Sequence, residues 1–401
     1  MIRDSCLICD SKKLNEVIDL GMHPFADTFI PQSELSHPDV IYPLIMDLCA
    51  DCGGIQLRCV TPAEDRYCSV DYSYTSSNSG FSRNHWIQFA SDVSRKVELK
   101  KDAFVVEIGS NDGFLAQQFA VNGARVLGVD PSGSMMRLAA ERNIKTVQGV
   151  FNLDIASNIL REHGQADLIV ANNVFNHSNE PLSFAVAVRH LLAPQGAFVY
   201  ELPYWYEGFK TGKFDQIYHE HVTYFTARSS AGILKLAGMF PKFVETVDYH
   251  GGSLRVYAQN EEDRCSDLED LVSKENEARL FEPGEYKKFL QRITSQRNRF
   301  LTKFYEAKNS GVPIIAVGAA AKGNTLLNFY NLGHNVIDLV TDASSHKQGK
   351  YTPLTRIPIV GDEIFSRYPE VYALILSWNI ATQLKRKLYE INPRIRFLVP
   401  E

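Results

Sequence analysis

From residue 104 onward, short apolar runs alternate with stretches of helical period. Phe104-Val105-Val106-Glu107-Ile108 is β-branched and almost wholly apolar, the pattern of a strand buried on both faces. It breaks at Gly109-Ser110-Asn111-Asp112-Gly113 into the helix-compatible Phe114-Leu115-Ala116-Gln117. Arg125–Asp130, Lys145–Val147, Ala166–Asn173 and Gly196–Glu201 repeat the alternation, which predicts a doubly wound parallel sheet with its ligand at the carboxyl ends of the strands. Upstream, the polar, turn-rich stretch 72–80 leads into an amphipathic helix through His85–Phe89. Downstream, residues 261 to 310 are charged, with Leu268, Leu271, Leu280, Phe289, Ile293, Phe300 and Phe304 near helical spacing and Pro283-Gly284 interrupting, which predicts a helical connector. Strands at 313–318, 336–340, 371–376 and 396–399 then predict a second, smaller α/β unit.

Length and charge narrow the class. At about 150 residues per domain, 401 residues make two to three domains. A chain that is 45% hydrophobic and 22% charged is globular, not disordered or fibrous. With 42 basic against 47 acidic side chains it has no global attraction for nucleic acid or an anionic bilayer. No apolar run reaches the roughly 18 residues of a membrane span, and MIRDSCLICD lacks a signal-peptide core, so the expected setting is cytoplasmic.

Cysteine placement adds a metal. Cys6, Cys9, Cys49, Cys52, Cys59 and Cys68 crowd the first sixth of the chain while Cys265 stands alone, marking a separate N-terminal module. Cys6-x-x-Cys9 and Cys49-x-x-Cys52 are two knuckles whose spacing lets four thiolates close on one tetrahedral zinc; two disulfides are the competing reading, disfavoured by a reducing compartment. Four thiolates leave no open coordination position, so the zinc is structural. The expected units are therefore 1–71 (zinc module), 72–260 (main α/β domain), 261–311 (connector) and 312–401 (C-terminal α/β domain).

Two cofactors suit a glycine turn with a downstream acid, a dinucleotide and S-adenosylmethionine. A pyrophosphate would be repelled by Glu107 before the turn and Asp112 inside it, whereas a sulfonium and an amino group tolerate both. Glu107-Ile108-Gly109-Ser110-Asn111-Asp112-Gly113 resembles motif I of class I methyltransferases, with Asp130, followed by Pro131, where that family's acid binds the ribose. Phe151 and Asn172-Asn173 resemble its later adenine- and methionine-side positions.

A second constellation, Tyr218-His219-Glu220-His221, sets an unprotonated nitrogen beside a carboxylate. That suits a general base with its orienting group, although structural hydrogen bonding and metal ligation by the H-x-H pair are also open. In an extended chain Tyr218 and Glu220 would face away from His219 and His221. Together with the knuckles, motif I, the strand His250–Val256 and Gly318-Ala319-Ala320-Ala321-Lys322-Gly323-Asn324, this block resembles the nucleotide-sugar C-methyltransferases, which include 3-C-methyltransferases of deoxysugars.

The resemblance spans nearly the whole chain. It implies a zinc module, a class I S-adenosylmethionine domain and a Rossmann-like C-terminal domain that helps hold a nucleotide-diphosphate 4-keto sugar, dTDP- or GDP-linked. It also implies His221 as base, Tyr218 and Glu220 beside it, His177 on the acceptor side and Tyr72 or Tyr74 reaching in. His219 and Arg255 are further candidates for substrate contact. Lys322 and Asn324 at a helix start, with His346, Lys347 and Trp378 at the same sheet edge, are candidates for the diphosphate. The expected chemistry is deprotonation next to a ketone and attack of the enolate on an activated methyl group. An O-methyltransferase and a non-catalytic sugar-binding scaffold are the competing functions.

Overall fold

The computed structural model describes residues 1–67, 75–77 and 79–400; the Tyr72 and Tyr74 candidates, and Cys68, lie outside them. Its centre is a seven-stranded sheet in the order Phe240–Val247, Ser253–Gln259, Leu192–Pro203, Ala166–Val170, Phe104–Ile108, Arg125–Asp130, Thr146–Gln148. The last five are mutually parallel, and Ser253–Gln259 runs antiparallel to both its neighbours. All five residues of Phe104–Ile108 are buried, as the unbroken apolar run requires of a strand with helices on both faces. The chain order reverses between this strand and Ala166–Val170, so the crevice for a ligand opens at their carboxyl ends. The upstream helix, Gly80–Lys96, is capped by Ser79, whose hydroxyl accepts from the Ser82 amide, and it buries Trp86, Phe89, Ala90 and Val93 at helical spacing against the sheet.

The cysteine-rich end forms its own antiparallel sheet from Leu14–His23, Tyr42–Cys49 and Ile55–Leu57. Its fourth strand is Thr223–Tyr224, contributed by a much later part of the chain, which pairs with Gln56 and Ile55. The C-terminal sheet is all parallel, in the order Ile359–Val360, Leu339–Thr341, Ile314–Val317, Val371–Ile375, Ile395–Leu398. Its strand Ile359–Val360 is two residues long, too short for an apolar period to reveal.

The stretch read as a connector is two helices, Ser266–Glu277 and Pro283–Asn309. Pro283 opens the second helix at a position where a missing amide hydrogen loses no bond, so it starts a helix and interrupts none. Tyr286, Phe289, Ile293, Phe300 and Phe304 on this helix share one buried cluster with Leu44 and Met46 of the N-terminal sheet and Ile314 and Leu326 of the C-terminal unit. The helix is thus the core that joins the two ends of the chain. Within the described residues no helix is long and apolar enough to cross a membrane.

Candidate active site

A cavity of about 760 Å³ opens at the carboxyl edge of the central sheet, where the strand order reverses; ligand pockets run to about 300–1,000 Å³. Gly109, Asn111, Asp130, Pro131, Phe151, Asn172, Asn173 and His177 all line it, as does Tyr67 from the N-terminal module. Gly109 sits at φ +70, and a Cβ there would stand 2.1 Å from Val174, so only glycine lets the loop turn against the next strand's loop. Asp130 accepts the amides of Asn111 at 2.8 Å and Ser132 at 2.9 Å, one on each oxygen, which leaves a lone pair on each for a diol. Burial raises its carboxyl above the usual range. Asn172 accepts the Glu201 amide through Oδ1, while its buried Nδ2 has no partner among the described residues. Acceptors at one end and an unspent donor at another suit the ribose and amino-acid ends of S-adenosylmethionine.

Three of the motif's candidate cofactor residues lie outside the cavity lining. Glu107 is buried beneath it with one carboxylate oxygen unpartnered, and burial, with Asp112 and Asp130 adding, pushes its carboxyl well above the usual range. Asp112 is turned aside, accepting Ser76 Oγ at 2.7 Å, the Ser77 hydroxyl and Arg142 at 3.2 Å. Gly113 serves packing, since a Cβ there would meet the Ala139 backbone at 3.1 Å.

The Tyr218–His221 block forms a turn between the cavity and the N-terminal sheet, not a strand. The Nδ1–H of His221 donates to the Gln216 carbonyl at 2.9 Å, which makes Nε2 the bare nitrogen; the Tyr218 hydroxyl donates to it at 2.7 Å. Burial pushes His221 down to about 3, so the ring is neutral, and holds the Tyr218 hydroxyl well above its usual range. The His221 ring centre lies 5.1 Å from that of His177, the wall of the cofactor cavity. His177 is itself stacked on Tyr67 and bonded to its hydroxyl at 2.8 Å. Glu220 accepts the amides of Asp27 at 3.0 Å and Ala26 at 3.4 Å, and burial raises it to about 7. His219 goes the other way, into the N-terminal module, with its ring edge-on to Tyr42 at 5.7 Å and Phe25 at 6.3 Å. Because the turn spreads the four side chains, His221 and Tyr218 meet while His219 is excluded. No group of three or more potential ligands among the described residues includes these histidines.

The knuckle sulfurs of Cys6, Cys9, Cys49 and Cys52 lie within 4.8 Å of one another, with Cys6–Cys52 at 3.5 Å and Cys9–Cys49 at 3.7 Å. A Zn–S bond of about 2.3 Å gives a tetrahedron with edges of about 3.8 Å, so the donor set fits zinc. The amides of Ile8 and Gly54 donate to the Cys6 and Cys52 sulfurs, the outer-shell bonds that steady a thiolate ligand.

Family models match the chain in three places: a zinc binding domain over residues 6–67, a methyltransferase domain over 82–239, and a C-methyltransferase C-terminal domain over 248–400. The C-methyltransferase NovU of Streptomyces niveus is 29% identical over 405 residues, spanning 99% of this chain and 96% of that protein. The protein is an S-adenosylmethionine-dependent C-methyltransferase similar to NovU. A ubiquinone biosynthesis O-methyltransferase of Ralstonia nicotianae is 23% identical, spanning 46% of this chain and 84% of that protein. A solved magnesium protoporphyrin IX methyltransferase of Synechocystis PCC 6803 with bound S-adenosylhomocysteine has 15% identity and a TM-score of 0.36, spanning 45% of this chain and 83% of that one. The C-methyltransferase thus combines an N-terminal zinc module, a class I methyltransferase sheet and a Rossmann-like C-terminal sheet, with S-adenosylmethionine and a structural zinc as its cofactors.

In this methyltransferase the C-terminal candidates divide. Lys322 is half-buried at the start of helix Ala321–Tyr330, with its ammonium on the His250 carbonyl at 3.2 Å. The Trp378 indole donates to Asp215, a fully enclosed carboxyl beside Lys322, and Lys213 lies 5.1 Å over the Trp378 ring. Asn324 instead ties the Ala26 carbonyl at 2.6 Å, and Lys347 ties the Ala319 carbonyl at 2.6 Å. Both are buried, Asn324 bridging to the N-terminal region and Lys347 bracing its own unit. His346 is exposed. Arg255 is spent on Glu201 at 2.7 Å and Glu245 at 3.3 Å, away from the cavity. Sequence reasoning did not single out Lys213, Asp215 or Tyr67; only the adjacency of 213 and 215 to the Tyr218 block pointed at the first two, and nothing pointed at Tyr67.

Proposed function

We propose that the enzyme transfers a methyl group to the carbon next to the ketone of a nucleotide-linked 4-keto deoxysugar, at C3. The reading rests above all on one observation: the Tyr218–His221 pair, with its bare ring nitrogen, sits beside His177 at the wall of the cofactor cavity. His221 Nε2 takes the α-hydrogen as a proton, and the charge passes to the ketone oxygen as an enolate. The Tyr218 hydroxyl, released from Nε2 by that protonation, donates to the enolate oxygen. Glu220 holds the segment to the Ala26–Asp27 amides. Asp130, Asn111, Phe151 and Asn172 would hold S-adenosylmethionine, which would supply the electrophilic methyl to the enolate carbon and leave as S-adenosylhomocysteine. Lys322 and Lys213 take the sugar's diphosphate, while Trp378 and Asp215 keep the two lysines in place. In this division residues 1–71 hold the catalytic turn, 72–260 bind the methyl donor, 261–311 join the ends and 312–401 bind the nucleotide.

The test is incubation with carbon-labelled S-adenosylmethionine and a panel of dTDP- and GDP-linked 4-keto sugars. A new methyl carbon coupled to a quaternary or methine sugar carbon in the NMR spectrum supports the proposal, and its position fixes the methylated centre. A methoxy signal would make the protein an O-methyltransferase, and no turnover with any of the panel would reject the sugar reading.

A further inference from the structure

Among the described residues, Arg66 is a buried cation with no carboxylate beside it. It sits on the short helix Ala63–Tyr67 with 2% exposure, and no carboxylate among the described residues is within ion-pair distance of its guanidinium. Its partners are oxygens from three places in the chain. Nε donates to the Pro62 carbonyl at 3.5 Å, Nη1 to the His177 carbonyl at 3.3 Å and the Glu220 carbonyl at 3.4 Å, and Nη2 to the Asn179 side-chain oxygen. Asn179 closes the ring by donating to the Thr61 carbonyl at 2.9 Å, just ahead of the helix. Burying an unpaired charge is unfavourable unless its donors are satisfied, and here main-chain and amide oxygens satisfy them.

We propose that Arg66 is a positioning residue for methyl transfer. One guanidinium nitrogen holds both the residue that walls the cofactor cavity, His177, and the residue preceding the base, Glu220. A planar fork fixes several acceptors in set directions, whereas an ammonium is a point charge on a flexible stem, so lysine does not replace it. The His221 amide closes the turn on the Tyr218 carbonyl at 2.9 Å, and the Val222 amide donates to the Asn176 carbonyl at 2.8 Å, so the turn and the cavity loop are also joined next to the Arg66 contact. Arg66 sets the separation between base and methyl donor across that joint. Its catalytic consequence rests on the reading of His221 as base; its hold on the turn does not.

The experiment uses the full chain with Arg66→Ala and Arg66→Lys. Three quantities are read: kcat with whichever 4-keto nucleotide sugar the wild type methylates, S-adenosylmethionine affinity by calorimetry, and amide hydrogen exchange at residues 220–222 without any acceptor. In Arg66→Ala, kcat falls about 100-fold, the scale of a 1 Å misplacement, while cofactor affinity stays within about twofold and exchange at 220–222 accelerates. Millimolar methylguanidinium restores both kcat and protection, and methylammonium restores neither. Arg66→Lys behaves as the unrescued alanine variant. Wild-type kcat and exchange in either variant, rescue by methylammonium as good as by methylguanidinium, or loss of cofactor affinity in step with kcat would each overturn the proposal. If Arg66→Ala does not fold, exchange at 220–222 in Arg66→Lys decides. If the wild type methylates no 4-keto sugar, the sugar reading falls while the exchange data still judge Arg66.

Discussion

His221 spends one nitrogen on the Gln216 carbonyl and offers the other to Tyr218, and that division of labour can be tested one atom at a time. With His221→Ala, kcat should fall roughly 10²–10⁴-fold with cofactor binding intact, and the α-hydrogen of the 4-keto sugar should stop exchanging with deuterated water in the presence of S-adenosylhomocysteine. Persistent exchange would move the base elsewhere. Tyr218→Phe bares Nε2 completely. If the hydroxyl serves the enolate oxygen, exchange slows in this variant; faster exchange would mean that it only masks the base. The pH dependence belongs to a different residue. His221, near 3, is neutral throughout an ordinary assay range and contributes no limb there. Glu220, raised to about 7 by burial, is neutral below that pH and ionised above it, and only the carboxylate accepts both loop amides at full strength. kcat/KM should therefore rise through about pH 7 and lose that limb in Glu220→Gln; an unchanged profile would assign the limb to another group. At the cofactor end, Asp130→Ala should weaken S-adenosylmethionine binding by roughly 1.5–3 kcal/mol in calorimetry, the range for bonds to a charged acceptor. Unchanged affinity would detach Asp130 from the ribose.

The zinc knuckle and the catalytic turn are connected through one strand. Ile55–Leu57 follows directly on the Cys49–Cys52 knuckle and pairs with Thr223–Tyr224, and the Leu57 amide donates to the Val222 carbonyl at 2.8 Å, next to His221. Gln56 on the same strand also reaches back to the first knuckle, accepting the Leu7 amide at 2.7 Å and donating to the Ser5 carbonyl at 3.0 Å. A structural metal contributes folding free energy, so removing it releases this strand. Chelation, or Cys49→Ser, should accelerate amide exchange across 55–57 and 221–224 and abolish methylation while S-adenosylmethionine still binds the central sheet. Elemental analysis of the untreated protein should find about one zinc per chain. Full activity in metal-free protein would reject the role.

At the scale of the whole molecule, the proposed acceptor site lies where three parts of the chain meet. The Ala26–Asp27 loop binds Glu220 through its amides and Asn324 through the Ala26 carbonyl, so one loop touches both the Tyr218–His221 turn and the C-terminal sheet's first helix. The long helix Pro283–Asn309 fixes that arrangement by sharing a core with both terminal sheets.

Much of this could be read along the chain. A buried parallel strand is an unbroken apolar run, a knuckle is two cysteines three positions apart, and a glycine held against Val174 sits between a strand and a helix; each is a local pattern set by backbone geometry. The cofactor wall at Asp130, Phe151 and Asn172 was legible for the same reason, because each residue occupies the carboxyl end of a strand or the turn after it. Direction and partnership were not legible. Whether His219 or His221 lies against His177 at the cavity wall depends on a turn stabilised by bonds to Gln216 and to the N-terminal sheet. Asn324 and Lys347 carry the chemistry of phosphate ligands but are consumed by carbonyls that only tertiary packing brings near. Arg66 looks like any surface arginine until the fold buries it among oxygens from distant loops. Periodicity and motif chemistry decided the elements and the methyl donor; long-range contacts decided which side chains meet beside the cavity wall, since a side chain's partners are set by the packing of whole elements and not by its neighbours in sequence.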